Sequence, residues 1–294
     1  MNMKTGKWMI ALLCLFLLGC DNDISNDKNE GKFWMKIGEQ IIPNADIDYY
    51  DFSTHTIYFK EEQSFFKDLE SGAFSVYVGD TEIYTGSIHP MYLSSVPMGP
   101  YINPILMKMS QYALTIGMGW IGAQEMEDPR NDMRIMNALQ FQGKYHAGLR
   151  IEIESIHFLP NDKVSFDFQL FNLDTFDYLY LDPTKMGIGL FHYFTNGLAF
   201  FSDENSQLYT HQISVVQPEP WDVWKKEWMS VIQSGEFKQL SITYDHFDSM
   251  PPGSYQAFFY FSGLSYYQVE KEDVNQSEGR IWLGEVGVAR NCVK

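Results

Sequence analysis

Trp221, Trp224, Trp228 and Ile232 recur at helical spacing between Pro220 and Gly235, and of all the residues in this chain they are best suited to hold a ligand. Indole rings stack on sugar faces or fill a partner's groove, and an exposed tryptophan is costly unless it is used. The same spacing suits an amphipathic helix that lays its aromatic face on a sheet. The segment is therefore predicted to be a helix, starting near Pro220 and stopping at Gly235. Asp182 to Gly197 (DPTKMGIGLFHYFTNG) is a second candidate. Its glycines, Gly187, Gly189 and Gly197, suit a ligand-facing loop around His192 and Tyr193, or equally a set of turns between strands.

Catalytic spacing is scarce. Asp245-His246 with Asp248 sets a base beside carboxylates, and Asp51 with His55 repeats the pairing. Neither has the His-x-x-x-His or Glu-x-x-His spacing of a metal centre, and solvated turns explain both. Asp46, Asp48 and Asp51 offer oxygen ligands but lack the glycine and terminal glutamate of a calcium loop. There is no Gly-x-Ser-x-Gly elbow, Walker loop or dinucleotide fingerprint. Some pair among the many carboxylates could stand at glycosidase separation, which keeps an envelope hydrolase as an alternative. No catalytic residue, metal or cofactor is assigned.

The cysteines are Cys14, Cys20 and Cys292. Met1 to Lys7 carries two lysines and no acid, and Trp8 to Leu18 is apolar throughout, the n-region and h-region of a signal peptide. The run is too short to span a bilayer. Leu17-Leu18-Gly19-Cys20 resembles a bacterial lipobox. The resemblance implies cleavage before Cys20, a thioether-linked diacylglyceryl on its sulfur and acylation of the new amino terminus, and several acyl chains give stable anchoring. Cys14 then leaves with residues 1–19 and Cys20 is taken by lipid. Cys292 has no partner left, so the fold must stand on packing, and a cysteine-ligated zinc is excluded. Asp21 to Gly31 (DNDISNDKNEG) reads as a flexible acidic tether. Such a stretch resembles a surface-export signal of some Gram-negative groups, whereas in enteric bacteria an Asp after the cysteine implies inner-membrane retention. The acidic run favours the outer membrane.

The formal charge is −17, and loss of Lys4 and Lys7 with the leader makes the balance two charges more negative. So acidic a surface argues against nucleic acid and anionic headgroups as partners. The expected partners are the membrane, through the lipid, and a glycan or envelope protein.

Length and an aromatic content of 16% suit two domains with real cores. Residues 32–146 read as an α+β domain. Thr56 to Phe59 is a strand, Phe74 to Val78 and Thr81 to Thr85 form a hairpin around Gly79-Asp80, and Tyr112 to Met118 is a further strand. His89 to Pro104, with four prolines, reads as a long loop. Asp128-Pro129 opens a helix with Met133, Met136 and Leu139 on one face and Gly143 as its stop. Residues 147–294 alternate apolar and polar positions in roughly seven strands, among them Leu149 to Ile153, Val164 to Leu170, Leu208 to Val216 and Tyr255 to Phe261. Pro251-Pro252-Gly253-Ser254-Tyr255 resembles the entry to a late strand in bacterial immunoglobulin-like domains, and Val164 to Asp174 resembles their second strand. The resemblance implies an immunoglobulin-like β-sandwich with the tryptophan helix inserted. A mainly β, lipid-anchored binding or accessory module of the cell envelope, not an enzyme, is the expected function.

Replacing Cys20 by Ala should abolish incorporation of labelled palmitate and move the protein from the membrane to the soluble fraction. Unchanged membrane association would mean that the apolar run anchors the chain uncleaved.

Overall fold

Lys163–Asn172 turns Val164, Phe166, Phe168, Leu170 and Asn172 inward and the residues between them outward, the two-residue period of a half-buried strand. It pairs antiparallel with Leu149–Leu159 on one side and Phe237–Tyr244 on the other. The register slips between Ile153 and Ser155, a bulge beyond which the burial alternation of Leu149–Leu159 fades. A four-stranded sheet faces this one, in the order Gln207–Thr210, Gly197–Ser202, Ser254–Ser262, Glu285–Val293. Phe166 and Phe168 each meet Phe259 with ring centroids 4.9 Å apart, so the two inner faces interlock through aromatic side chains. Such ring pairs contribute about 0.5–1.5 kcal/mol beyond burial of their area. At the turn entering Ser254–Ser262, the Tyr255 hydroxyl donates to the Pro251 carbonyl at 2.6 Å.

The chain is thus mainly β and sandwich-like, with four short α-helices among the described residues. The structure is a computed structural model, and it describes residues 31–294 except 91, 120–126, 203 and 265–267. The leader-like segment, Cys20 and residues 21–30 of the tether lie outside the described residues. Among those described, no helix is long and apolar enough to cross a membrane. Cys292, opposite Tyr255 on the Glu285–Val293 strand, is a free thiol.

Residues up to and including His146 build one nine-stranded sheet. Its hairpin is as expected: Val78 pairs with Thr81 across Gly79-Asp80, and Gly79 takes the φ of +59° that such a turn demands. The loop expected over His89 to Pro104 contains more order than its prolines suggest. Pro100–Ile102 joins the sheet beside Ser87 and Ile88, and Asn103 caps a helix at Pro104–Met109. Proline at the first residue of a short strand forfeits little of the ladder. The following helix starts later than expected. Asp128-Pro129 opens only a single 3-10 turn, and Asp132 caps Met133–Phe141 by accepting from the Arg134 amide at 2.8 Å. The helix turns Ile135, Ala138 and Leu139 inward and leaves Met133, expected on the same face as Leu139, 60% exposed.

No sheet crosses from His146 to Leu149, the boundary anticipated from the pattern change. The buried side chains ignore it and form one continuous cluster. His146 Nδ1 lies 2.7 Å from Asp174 Oδ1, and the Tyr178 hydroxyl donates to Asp174 Oδ2 at 2.6 Å. The Tyr112 hydroxyl donates to the Val269 carbonyl at 2.7 Å. The Arg280 guanidinium sits between the rings of Tyr49 and Phe176, 4.1 and 3.9 Å from their centroids. Removing residues before 147 would strip these partners from the second half. We expect the whole chain to unfold in one transition seen alike by circular dichroism and tryptophan fluorescence, and a 147–294 fragment to melt at a clearly lower temperature. Equal midpoints would mean that the halves are independent domains.

Candidate ligand-binding site

Residues 212–225 form no helix. The chain crosses the surface as an extended strap, makes one 3-10 turn at Lys226–Trp228, and enters the strand Met229–Ile232, to which Ile232 belongs. The tryptophan helix expected here is therefore corrected to a strap. Pro218 and Pro220 precede the segment and allow a helix after them, but Met229–Ile232 pairs antiparallel with Tyr178–Leu181, and that ladder outweighs the aromatic spacing. The strand expected from Leu208 to Val216 likewise ends at Thr210, with a lone bridge from His211 to Phe247.

The helical segment lies elsewhere, within Asp182 to Gly197. Asp182 accepts from the Thr184 amide at 2.9 Å and caps Pro183–Met186, and Gly187, at φ +75°, leads into Ile188–Phe194. The loop or chain of turns expected there is thus two short helices, and the strap runs over the second. The Val216 amide donates to the Gly189 carbonyl at 3.0 Å, and a Cβ on Gly189 would come within 2.9 Å of the Val216 side chain. Absence of a side chain at Gly189 lets the strap lie this close. Further along, the Tyr193 hydroxyl donates to the Trp221 carbonyl at 3.0 Å, and the Phe194 ring meets Trp228 at 6.1 Å. The Asp182 amide donates to the Trp228 carbonyl at 2.9 Å, closing the far end.

The candidate residues separate accordingly. Trp221 is 50% exposed and, with Gln217, Pro218, Glu219 and Pro220, lines an open groove of about 560 Å³. Tyr193 stands beside it. Trp224 packs against the core, and Trp228, half-buried, lies under the Lys225 ammonium at 5.8 Å. An exposed indole flanked by proline rings and by the amide and carboxylate of Gln217 and Glu219 can stack on a sugar ring and bond its hydroxyls.

His192 is not part of this surface. It is 5% exposed, its Nδ1 lies 2.9 Å from Thr195 Oγ1, and its ring stacks on His211 at 4.6 Å and on Tyr244 at 5.4 Å. Its Nε2 has no hydrogen-bond partner among the described residues. Burial, reinforced by His211, pushes the His192 pKa down to about 4, and burial lowers His211 as well. The sequence carried no sign of this stack, because His211 sits far along the chain at the head of the strap.

The remaining constellations are structural. Asp245 pairs with Lys163 at 2.7 Å, and Asp248 accepts from the Thr210 amide and the Gln212 side chain, each at 2.7 Å, tying the strap's start to the turn. Asp51 and His55 are buried rather than solvated, which corrects the reading of that pair as an exposed turn. Burial raises the Asp51 pKa, against hydrogen bonds from Ser53. Among the described residues, no group of three or more His, Cys, Asp or Glu is placed to hold a metal ion. No protein-family model matches this chain, and no curated protein sequence matches it.

Because His192 and His211 titrate lower in the fold than in the unfolded chain, the unfolded state binds the extra protons. The stability they contribute is present above the unfolded value of about 6.5 and is lost as pH falls toward 4. The thermal midpoint should drop between pH 7 and pH 5, and His192→Phe should flatten that drop. An identical slope in the variant would remove the stack as its cause.

Proposed function

We propose that this chain is a non-catalytic binding module, held at the cell envelope by lipid on Cys20, on the outer membrane, and that the Trp221 strap takes a glycan. The observation that carries the reading is the half-exposed Trp221 indole in an open groove, on a stretch of backbone whose carbonyl accepts from Tyr193. Large exposed aromatics that are held in place, not frayed, mark interaction surfaces.

We also read residues 147–294 as immunoglobulin-like. Labelled in chain order, the three-stranded sheet follows A-B-E and the four-stranded sheet C′-C-F-G. The Tyr255 hydroxyl on the Pro251 carbonyl, at the entry to the sixth of these strands, matches a tyrosine corner. In this scheme the strap belongs to the connection between C′ and E, and ligand surfaces on sandwiches are commonly built on such connections.

A hydrolase would need convergent carboxylates open to a polymer. Asp51 and Asp174, which both approach Gly148, are 1% and 5% exposed. Their burial removes that pair from such a role.

Trp221→Ala should abolish retention on an immobilised oligosaccharide panel while leaving the thermal midpoint within about 1 °C, as for a surface substitution. Trp224→Ala should lower the midpoint by several degrees, because its indole packs on the core. Retention that survives Trp221→Ala would refute the strap as the binding surface.

A further inference from the structure

A second depression, of about 530 Å³, opens where the strap ends. Lys185 from the helix Pro183–Met186, Lys226 from the 3-10 turn and Lys238 from the strand Phe237–Tyr244 all line it. In a chain with 21 basic residues against 38 acidic ones, three lysines from three separate elements at one depression stand out. Lys226 is paired with Glu278 and Lys238 with Glu236, both at least partly solvent-exposed and therefore weakly held. Lys185 has no carboxylate partner among the described residues and donates to the Met229 carbonyl. Ser230 and Asp182 complete the polar lining, bonded to each other through the Ser230 hydroxyl at 2.6 Å.

We infer that this depression binds the carboxylate of an acidic sugar, so that the ligand of the strap is a hexuronate-containing glycan. The inference rests on the glycan-binding reading of Trp221. Trp221 and Lys226 are five positions apart, so their Cα atoms lie at most about 18 Å apart, within the span of a short oligosaccharide. A ligand that stacks on Trp221 and reaches the lysines would have to bridge no more than this separation of the backbone. The mixture of charges points to a carboxylate rather than a phosphate. Glu278 holds Lys226 and Glu236 holds Lys238, which leaves Lys185 as the ammonium without a carboxylate partner among the described residues, suited to a single negative charge beside hydroxyls and not to a dianion. The acidic surface farther off is screened beyond about 8 Å at physiological salt and does not forbid the approach.

The test titrates the detergent-solubilised full chain with oligogalacturonate and with its methyl ester, which has the same sugar rings without the charge. Wild type should bind the acid at least ten-fold more tightly, and that preference should shrink as salt rises. Lys185→Gln and Lys226→Gln should each cut the affinity for the acid toward that for the ester, with thermal midpoints confirming that both variants fold. Equal binding of acid and ester by wild type, lost in Trp221→Ala, would overturn the acidic-sugar inference and keep the strap reading. An acid preference that persists in both lysine variants would overturn the depression as its source. Binding of neither ligand, with a panel indifferent to Trp221→Ala, would overturn the glycan reading and this inference together.

Discussion

Asp174 is a carboxylate taken almost wholly out of water, and its need for partners organises the middle of the molecule. Burial alone would push its pKa up, but hydrogen bonds from His146 and Tyr178, with the Thr175 amide, outweigh that and hold it below the usual carboxylate range. Those donors come from the last strand of the nine-stranded sheet and from the strand Tyr178–Leu181, so satisfying one charge fixes the two halves against each other. Asn172 extends the arrangement: its side chain accepts from the Asp174 amide and donates to the Phe176 and Ile232 carbonyls. Removing one partner of such a buried set typically costs about 3–5 kcal/mol, because the rest are left unpaired. Arg280 and Phe176 stack beside it, with Phe176 also lying 3.9 Å from the His146 ring.

From that centre the order of the strap follows at one remove. Tyr178–Leu181 leads directly into Asp182, which caps the short helix, accepts from Ser230 and donates its amide to Trp228. The next helix supplies Gly189 and Tyr193 as backing for Val216 and Trp221. A stretch without regular structure of its own is thereby held at intervals along its length.

Period-two patterns were legible in the residues. Lys163–Asn172, the Gly79-Asp80 hairpin and the proline-led entry at Tyr255 all form where alternation and turn chemistry place them, because local sterics and burial agree there. The misread segments are those where a local signal yields to its surroundings. At Trp221, Trp224 and Trp228, helical spacing opposed the ladder that Met229–Ile232 forms with Tyr178–Leu181, and the ladder prevailed. At Asp128 the proline-led cap opens only one 3-10 turn, and the face expected from Met133, Met136 and Leu139 is split, with Leu139 buried and Met133 exposed. Tyr193 and Trp221 were both singled out as ligand candidates, but their contact, 28 residues apart, is a tertiary fact. The lysine depression was invisible for the same reason, since Lys185, Lys226 and Lys238 share no pattern along the chain.

The anchoring of the strap bears on the thermodynamics of the binding proposed for it. A loop that must be frozen on contact loses about 0.5–1.5 kcal/mol for each mobile side chain it immobilises. Here the Trp221 backbone is already tied to Tyr193, Val216 to Gly189 and Trp228 to Asp182, so the backbone is ordered beforehand and only side chains are left to settle. Such a surface is preorganised: encounter needs no slow rearrangement, and differences in affinity among ligands would be expressed chiefly in how quickly each one leaves.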